Sequence, residues 1–421
     1  MTWCTQPDYK WPSEYAAWYY APIRWAGAAA FVLGHLLGQA CAAWQRFRKR
    51  APVKRILVIR TDGLGDAVLF EPALRSLASR YPQHALHLWA PAVVCELFRS
   101  TPYVRSLMAI PRGCKHGNLL VFNSPPWRFI LGFALGRWQF DLAFYPVESP
   151  EPLGNWLIAS ARATEKWVVE GDLENQFDWQ RDKALLSATR VLKRRPDGGH
   201  ELLRNAYFAA EWGANITDQR PKLHPHDTSI QVAYARERYW RSEVARLRAT
   251  ALVGLVPAGT VATNIYPVAK WAEVIAQLWA KHRVLVGFIG TAAEAPVTRQ
   301  IRALLGSTPS LPREDSLDVL ALAVLLGRLD AVISVDTGPA HLALTEKVPT
   351  VVLSGGGHPE RFFPWPQPSS GIVLNHAMPC EGCLARCTLS EPECLTKIEP
   401  ADVVNATLDA LGRRRPMRIA V

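Results

Sequence analysis

Three things are scarce in this chain of 421 residues, and each scarcity removes a class of protein. Eight cysteines are too few for a disulfide scaffold at this length, and four of them crowd between Cys380 and Cys394, so they read as a local site in a reducing compartment. Acidic residues number 37 against 48 basic ones, a formal charge of +11, but the shortage is local. Arg46, Arg48, Lys49, Arg50, Lys54, Arg55 and Arg60 form one basic stretch and Arg413, Arg414, Arg415 and Arg418 another, and neither contains an acid. Without those eleven residues, 37 basic positions face 37 acidic ones, so the diffuse positive field of a general nucleic-acid coat is not expected. Finally, no Asp-x-Asp pair and no complete G-x-G-x-x-G occur anywhere.

What is present is globular. At 49% hydrophobic and 20% charged residues the chain suits two domains with a core each. Ala26 to Trp44 carries no formal charge, follows Trp18, Tyr19 and Tyr20, and runs into the first basic stretch. That length is near the roughly 20 residues of a spanning helix, but His35, Gln39, the glycines and the alanines make it weakly apolar. A cleaved signal peptide fits poorly, because most of the positive charge follows the apolar segment. Two arrangements fit: a helix on the cytoplasmic membrane face with its cations on anionic lipid, which we favour, or an extra helix packed on the domain.

Beyond Pro52, strands and helices alternate. The run Lys54 to Arg60 is a short apolar segment flanked by charge, as in a strand buried on both faces; a helical pattern follows until Pro82, then a second strand at Ala85 to Ala90. Further strands are predicted at Asp141 to Tyr145 and Lys166 to Glu170. A second βα series starts near Ala251 and runs to Gly355, with the interdomain linker placed around Asp227 to Thr250. The expected architecture is α/β: a leader at 1–52 and two Rossmann-like domains, 53–235 and 236–421, facing a cleft.

Ligands of such sheets bind at the carboxyl ends of the strands. Four loops there carry candidate chemistry. Asp62, Gly63, Gly65 and Asp66 follow the first strand, where Asp66 is either a functional carboxylate or a helix cap. Asp336, Thr337, Gly338 and His341 enclose a helix start after a strand, suited to an anion but also an ordinary cap. Thr260 ends a Pro-Ala-Gly-Thr turn ahead of Lys270, a point charge able to reach a diphosphate or simply a solvated lysine. Glu294 closes the Gly290 to Glu294 strand exit, where it can accept from a ribose or complement a helix dipole.

In this order, RILVIRTDGLGDAVLFEPAL, PAG with KW, GTAAE, ISVDTGPAHLAL with VPTVVLSG, and the cysteine-bearing tail resemble glycosyltransferase family 9, the ADP-heptose:lipopolysaccharide heptosyltransferases, from about Lys54 onward. The resemblance implies a GT-B fold with an N-terminal acceptor domain, a C-terminal nucleotide-sugar domain, and a last helix crossing back to the first domain. It further implies Asp66 as general base, Lys270 as the donor-phosphate cation, Glu294 as the ribose contact, and Asp336, Thr337, Gly338 and His341 as the pyrophosphate loop. The leader departs from the family pattern, and the four-cysteine tail belongs to only some members.

The residues agree with such chemistry. Sugar transfer needs a base for the acceptor hydroxyl and positive charge for the leaving diphosphate, which Asp66 and the helix dipole with Lys270 and His341 would supply. Asp62 is the rival base. The absence of Asp-x-Asp points to catalysis without a bridging metal, and one carboxylate points to inversion. Cys380, Cys383, Cys387 and Cys394 have spacing that suits a structural Zn or Fe, with free cysteines as the alternative. Expected partners are a nucleotide-diphosphate sugar resembling ADP-heptose, an acidic glycolipid or glycan, and an anionic membrane, with a cytoplasmic, peripheral location and no nucleic acid. Two rivals remain. A nicotinamide oxidoreductase lacks its glycine fingerprint here, and a Cys4 nucleic-acid binder lacks stacking aromatics near Cys380.

Overall fold

A computed structural model describes residues 21–47, 54–110, 124–176, 178–196, 198–214, 216, 218–259, 264–366 and 369–413. It divides into two units, the first reaching Gly198 and including Leu203–Gln219, the second holding Gly199–Leu202 and everything described from Arg220 on.

The first unit runs α1 (Ala21–Phe47), β1 (Arg55–Ile59), α2 (Leu64–Arg80), β2 (Ala85–Ala90), α3 (Ala92–Leu97), β3 (Val104–Ala109), α4 (Pro125–Arg137), β4 (Phe140–Tyr145), α5 (Pro152–Ser160), β5 (Ala163–Val169), α6 (Asp178–Leu186) and β6 (Arg190–Leu192), then most of α7 (Glu201–Glu211). Its six strands are parallel in the order β3-β2-β1-β4-β5-β6. Ile56 to Ile59 are buried on both faces, as the uninterrupted apolar run requires. One core gathers Leu57, Ile59 and Phe140 from the sheet with Leu131 and Leu135 of α4 and Leu153 and Leu157 of α5.

The second unit continues with α8 (Asp227–Leu247), β7 (Ala251–Val256), α9 (Val268–His282), β8 (Val284–Ile289), a short 3-10 turn at Ala292–Glu294, α10 (Ala295–Leu305), β9 (Ser310–Glu314), α11 (Val319–Gly327), β10 (Ala331–Val335), α12 (Gly338–Thr345), β11 (Thr350–Leu353), β12 (Gly371–Leu374), α13 (Glu393–Thr396) and α14 (Pro400–Gly412). Its parallel sheet runs β12-β11-β10-β7-β8-β9. Both sheets place their strands in the dinucleotide-binding manner, with a point at the middle of the order where the winding reverses.

The linker expectation changes. Asp227 to Thr250 is not a linker but mostly the helix α8, which packs on α11 within the second unit, and the expected boundary after 235 falls inside it. Trp240 explains this: its indole is wholly buried against Gly287 of β8, where an added Cβ would come within 2.6 Å of the ring. The last described helix lies in the same unit. The described α14 packs on α9 and the β10–β12 strands of its own unit, burying Val403, Val404 and Ala410 in that core.

Candidate functional site

In each unit the candidate residues lie at the carboxyl edge of the sheet, near the reversal of strand order. In the first unit, β1 gives way to the loop Arg60–Gly63 and then α2. Arg60 is 0% exposed, so its charge must be satisfied internally. Its Nη1 donates to the Pro146 carbonyl at 2.6 Å, its Nε to Asp62 Oδ1 at 3.0 Å and its Nη2 to the other carboxylate oxygen, while the guanidinium sits 4.2 Å from the Phe70 ring centre. Arg60 therefore belongs to the interior rather than to the basic surface stretch, and Asp62 is its counter-ion. Asp66 occupies the first turn of α2, half-buried, and its Oδ2 accepts from the Gly63 amide at 3.3 Å, which fixes the carboxylate at the loop mouth.

Sequence reasoning missed the neighbouring loop after β4. Tyr145 Oη lies 3.0 Å from Thr61 Oγ1 and accepts from the Glu151 amide at 2.9 Å; burial pushes the phenol's pKa well up, so it remains a hydrogen-bonding group. Glu148, nearly buried, pairs with Arg194 at 2.6 Å and Arg204 at 3.1 Å. A polar loop following a buried strand beside β1 was the available signal.

In the second unit the loops after β7 and β10 meet. A Cβ on Gly259 would lie 2.5 Å from Thr337 Cγ2, so only glycine allows this approach. Asn264 donates to the Asp336 carbonyl at 3.0 Å. Thr337 is the N-cap of α12 yet makes no side-chain cap bond, its hydroxyl lying 3.2 Å from Ser334 Oγ, so the helix presents its positive end with Gly338 and Pro339 in the first turn. Thr260 lies outside the described residues.

His341 departs from expectation. It is 2% exposed, stacked on Phe363 with ring centres 4.4 Å apart, and its Nδ1 accepts from Trp365 Nε1 at 3.0 Å. Burial, with His200 nearby, pulls its pKa down to about 3. It is thus neutral near pH 7 and supplies no positive charge; with Nδ1 accepting, its proton sits on Nε2, making that atom a donor.

Lys270, in the first turn of α9, is engaged too: its Nζ meets Glu399 Oε1 at 3.0 Å and the Ile398 carbonyl at 3.1 Å. Glu294 folds back onto its own turn, Oε2 accepting from the Thr291 amide and, at 2.8 Å, from the Thr291 hydroxyl. Lys270, Glu294 and the α12 start nonetheless share the carboxyl edge of one sheet, after the adjacent strands β7, β8 and β10.

The family model for glycosyltransferase family 9 (heptosyltransferase) matches residues 173–392, more than half of the chain. The chain belongs to glycosyltransferase family 9. It is 29% identical over 378 residues to lipopolysaccharide heptosyltransferase 1 of Pseudomonas aeruginosa, covering 83% of this chain and 96% of that protein. It is 24% identical over 319 residues to lipopolysaccharide heptosyltransferase 2 of Salmonella typhimurium, covering 73% and 84%. A solved family 9 glycosyltransferase from Veillonella parvula superposes with a TM-score of 0.65 at 16% identity, covering 87% of this chain and 99% of that one. The Escherichia coli ADP-heptose lipopolysaccharide heptosyltransferase II gives a TM-score of 0.58 at 16% identity, covering 85% and 98%. The fold is GT-B, and this family 9 protein is a glycosyltransferase. The oxidoreductase and nucleic-acid readings fall with that result.

The tail of this family 9 enzyme does not form the expected metal centre. No group of three or more His, Cys, Asp or Glu that could hold an ion occurs among the described residues, and Cys380, Cys383, Cys387 and Cys394 are free thiols. Cys380 is exposed, Cys387 turns its Sγ toward the Glu391 carbonyl at 3.7 Å, and burial, with the other three cysteines nearby, pushes the Cys394 thiol up.

Proposed function

We propose that the protein transfers heptose from an ADP-heptose-like donor to an acidic acceptor such as the lipopolysaccharide core, at the cytoplasmic face of the membrane. Family membership and relatives named as heptosyltransferases support the sugar and the acceptor class; an Escherichia coli heptosyltransferase solved with ADP supports the nucleotide.

The mechanism we infer is an inverting displacement without a bridging metal. Asp66 takes the proton of the acceptor hydroxyl as its oxygen attacks the anomeric carbon, and the bond from that carbon to the diphosphate breaks on the opposite face. The departing negative charge is received by the amides opening α12 beside Gly259, with Thr337 and the Nε2–H of His341 as further donors. Lys270 serves the diphosphate by exchanging Glu399 for phosphate oxygen, and Glu294 receives the ribose. The observation that carries the choice of base is the Arg60 fork on Asp62: a carboxylate held by a buried guanidinium is a poor proton acceptor, and Asp66 is the other carboxylate of the loop. The lack of any Asp-x-Asp pair supports the metal-free course.

The test is product mass spectrometry with ADP-heptose, ADP-glucose and UDP-sugars against a deacylated core oligosaccharide. Transfer only from a non-heptose donor would overturn the sugar assignment, and transfer abolished by chelators but restored by Mg2+ would overturn the metal-free course.

A further inference from the structure

The leader holds a feature that catalysis does not use. Gly34 and Gly38 of α1 face Gly132 and Gly136 of α4, each pair spaced by four residues so that it lines one side of its helix. A Cβ on Gly34 would lie 2.3 Å from the Phe129 carbonyl oxygen and one on Gly38 2.3 Å from that of Phe133. In return, a Cβ on Gly132 would lie 2.2 Å from the Phe31 carbonyl oxygen and one on Gly136 2.1 Å from that of His35. Advancing four residues on one helix advances four on the other, so the helices run parallel with their backbones in contact, the packing that small-xxx-small spacing permits.

The adjacent side of α4 is fixed, with Leu131 and Leu135 fully buried in the sheet core. Outside, α1 leaves Val32, Leu33, Leu36 and Leu37 between 46% and 57% exposed, while Trp25 and Trp44 stand 76% and 62% exposed toward its two ends. Those tryptophans are separated by about 28 Å at 1.5 Å per residue. The apolar span between them has no charged residue, and Arg46, Arg48, Lys49 and Arg50 follow it without an acid.

We infer that α1 is a half-embedded anchor lying in the plane of an anionic bilayer, with its Leu33–Leu37 face among the acyl chains and its glycine face sutured to α4. Tryptophans at both ends of an apolar face, and a run of cations that follows it in sequence with no acid among them, match the headgroup boundary and its negative lipids. A spanning helix is disfavoured by the seam itself. The middle of α1 lies along a helix that covers the sheet, so crossing the membrane would pull α4, with Arg128 and Arg137, into hydrocarbon. The anchor rests on the proposed function only for its purpose, which is to meet a membrane-borne acceptor.

Flotation of the full-length protein with phosphatidylcholine vesicles, with and without phosphatidylglycerol, tests this. Wild type should float with the anionic vesicles, and a Leu33→Glu, Leu36→Glu variant should lose about tenfold or more of the bound fraction, two charges at the acyl boundary costing more than about 1.4 kcal/mol. Equal flotation of both proteins, or of neither, would overturn the anchor. So would a wild-type dimer that the variant converts to monomer without any vesicle binding, which would make the face a homodimer contact. Cleavage of an N-terminal tag by protease outside spheroplasts would replace the in-plane anchor with a spanning one. Transfer to the soluble deacylated acceptor, measured on the same samples, should be unchanged in the variant. Its absence from wild type would sink the enzymatic reading while flotation still decides the anchor.

Discussion

Two carboxylates four residues apart have different fates because one has a buried arginine beside it. Asp66→Asn should preserve fold and ADP binding while lowering turnover by about 10²–10⁴-fold, the range of a lost general base, as read by steady-state kinetics with calorimetry for ADP. Asp62→Asn should instead lower stability. Arg60→Met, which leaves Asp62 without its counter-ion and the Pro146 carbonyl without its donor, should cost about 3–5 kcal/mol in denaturant unfolding, the usual penalty for breaking a buried pair. At His341 the linkage runs toward acid. Its pKa is about 3 when folded, against the ordinary 6.5 of a solvated imidazole, so between those values the unfolded chain binds more protons. The stability it contributes is complete above about pH 6.5 and lost progressively as pH falls toward about 3. His341→Gln, which keeps an acceptor for Trp365, should flatten that fall in melting temperature; His87, lowered to about 4 by burial, will leave a residual slope. The motif resemblance pointed to Asp66 and the 336–341 loop as candidates, and the structure puts them at the carboxyl edges of the sheets, but the neutrality of His341 was not readable, because Phe363 and Trp365, which stack on it and bond it, come from a segment that the motif does not include.

At the scale of elements, continuous apolar runs marked the inner strands of both sheets, and helical periodicity marked α2, α9 and α11. The edges were harder to read. Val104–Ala109, Arg190–Leu192, Ser310–Glu314 and Gly371–Leu374 are short or polar because an edge strand needs less apolar surface, and Ser310–Glu314 even contains a proline. Helix α8 was read as a linker since its surface is charged and its inward residues are few, chiefly Ala233 and Trp240. The α1–α4 seam was illegible for another reason: glycines at four-residue spacing are common, and only structure shows which two pairs meet. Gly136→Leu should displace α1, cost about 1–3 kcal/mol in overpacking, and expose the leader to limited proteolysis, with the cleavage site read by mass spectrometry.

Across the whole molecule, one doubly wound plan is used twice, and each copy places its candidate chemistry at the carboxyl edge of its sheet. The first unit offers a carboxylate there and the second a helix start, so one plan carries both the proposed proton acceptor and the proposed anion seat. ADP at a hundredfold its Kd should therefore stabilise the protein by about 2.7 kcal/mol, seen as a rise in melting temperature that UDP at the same concentration fails to match. Charge tells a similar story of placement: +11 describes the chain, yet Arg60, counted in its first basic stretch, never reaches the surface.

The glycine seam also makes a genetic statement. Each of Gly34, Gly38, Gly132 and Gly136 is pressed by main-chain atoms of the other helix, which no substitution can shrink. A bulky change on α1 therefore has no compensating partner on α4. Suppressor selections should return only true revertants, and across homologues that keep the leader the four positions should be fixed one by one rather than covary.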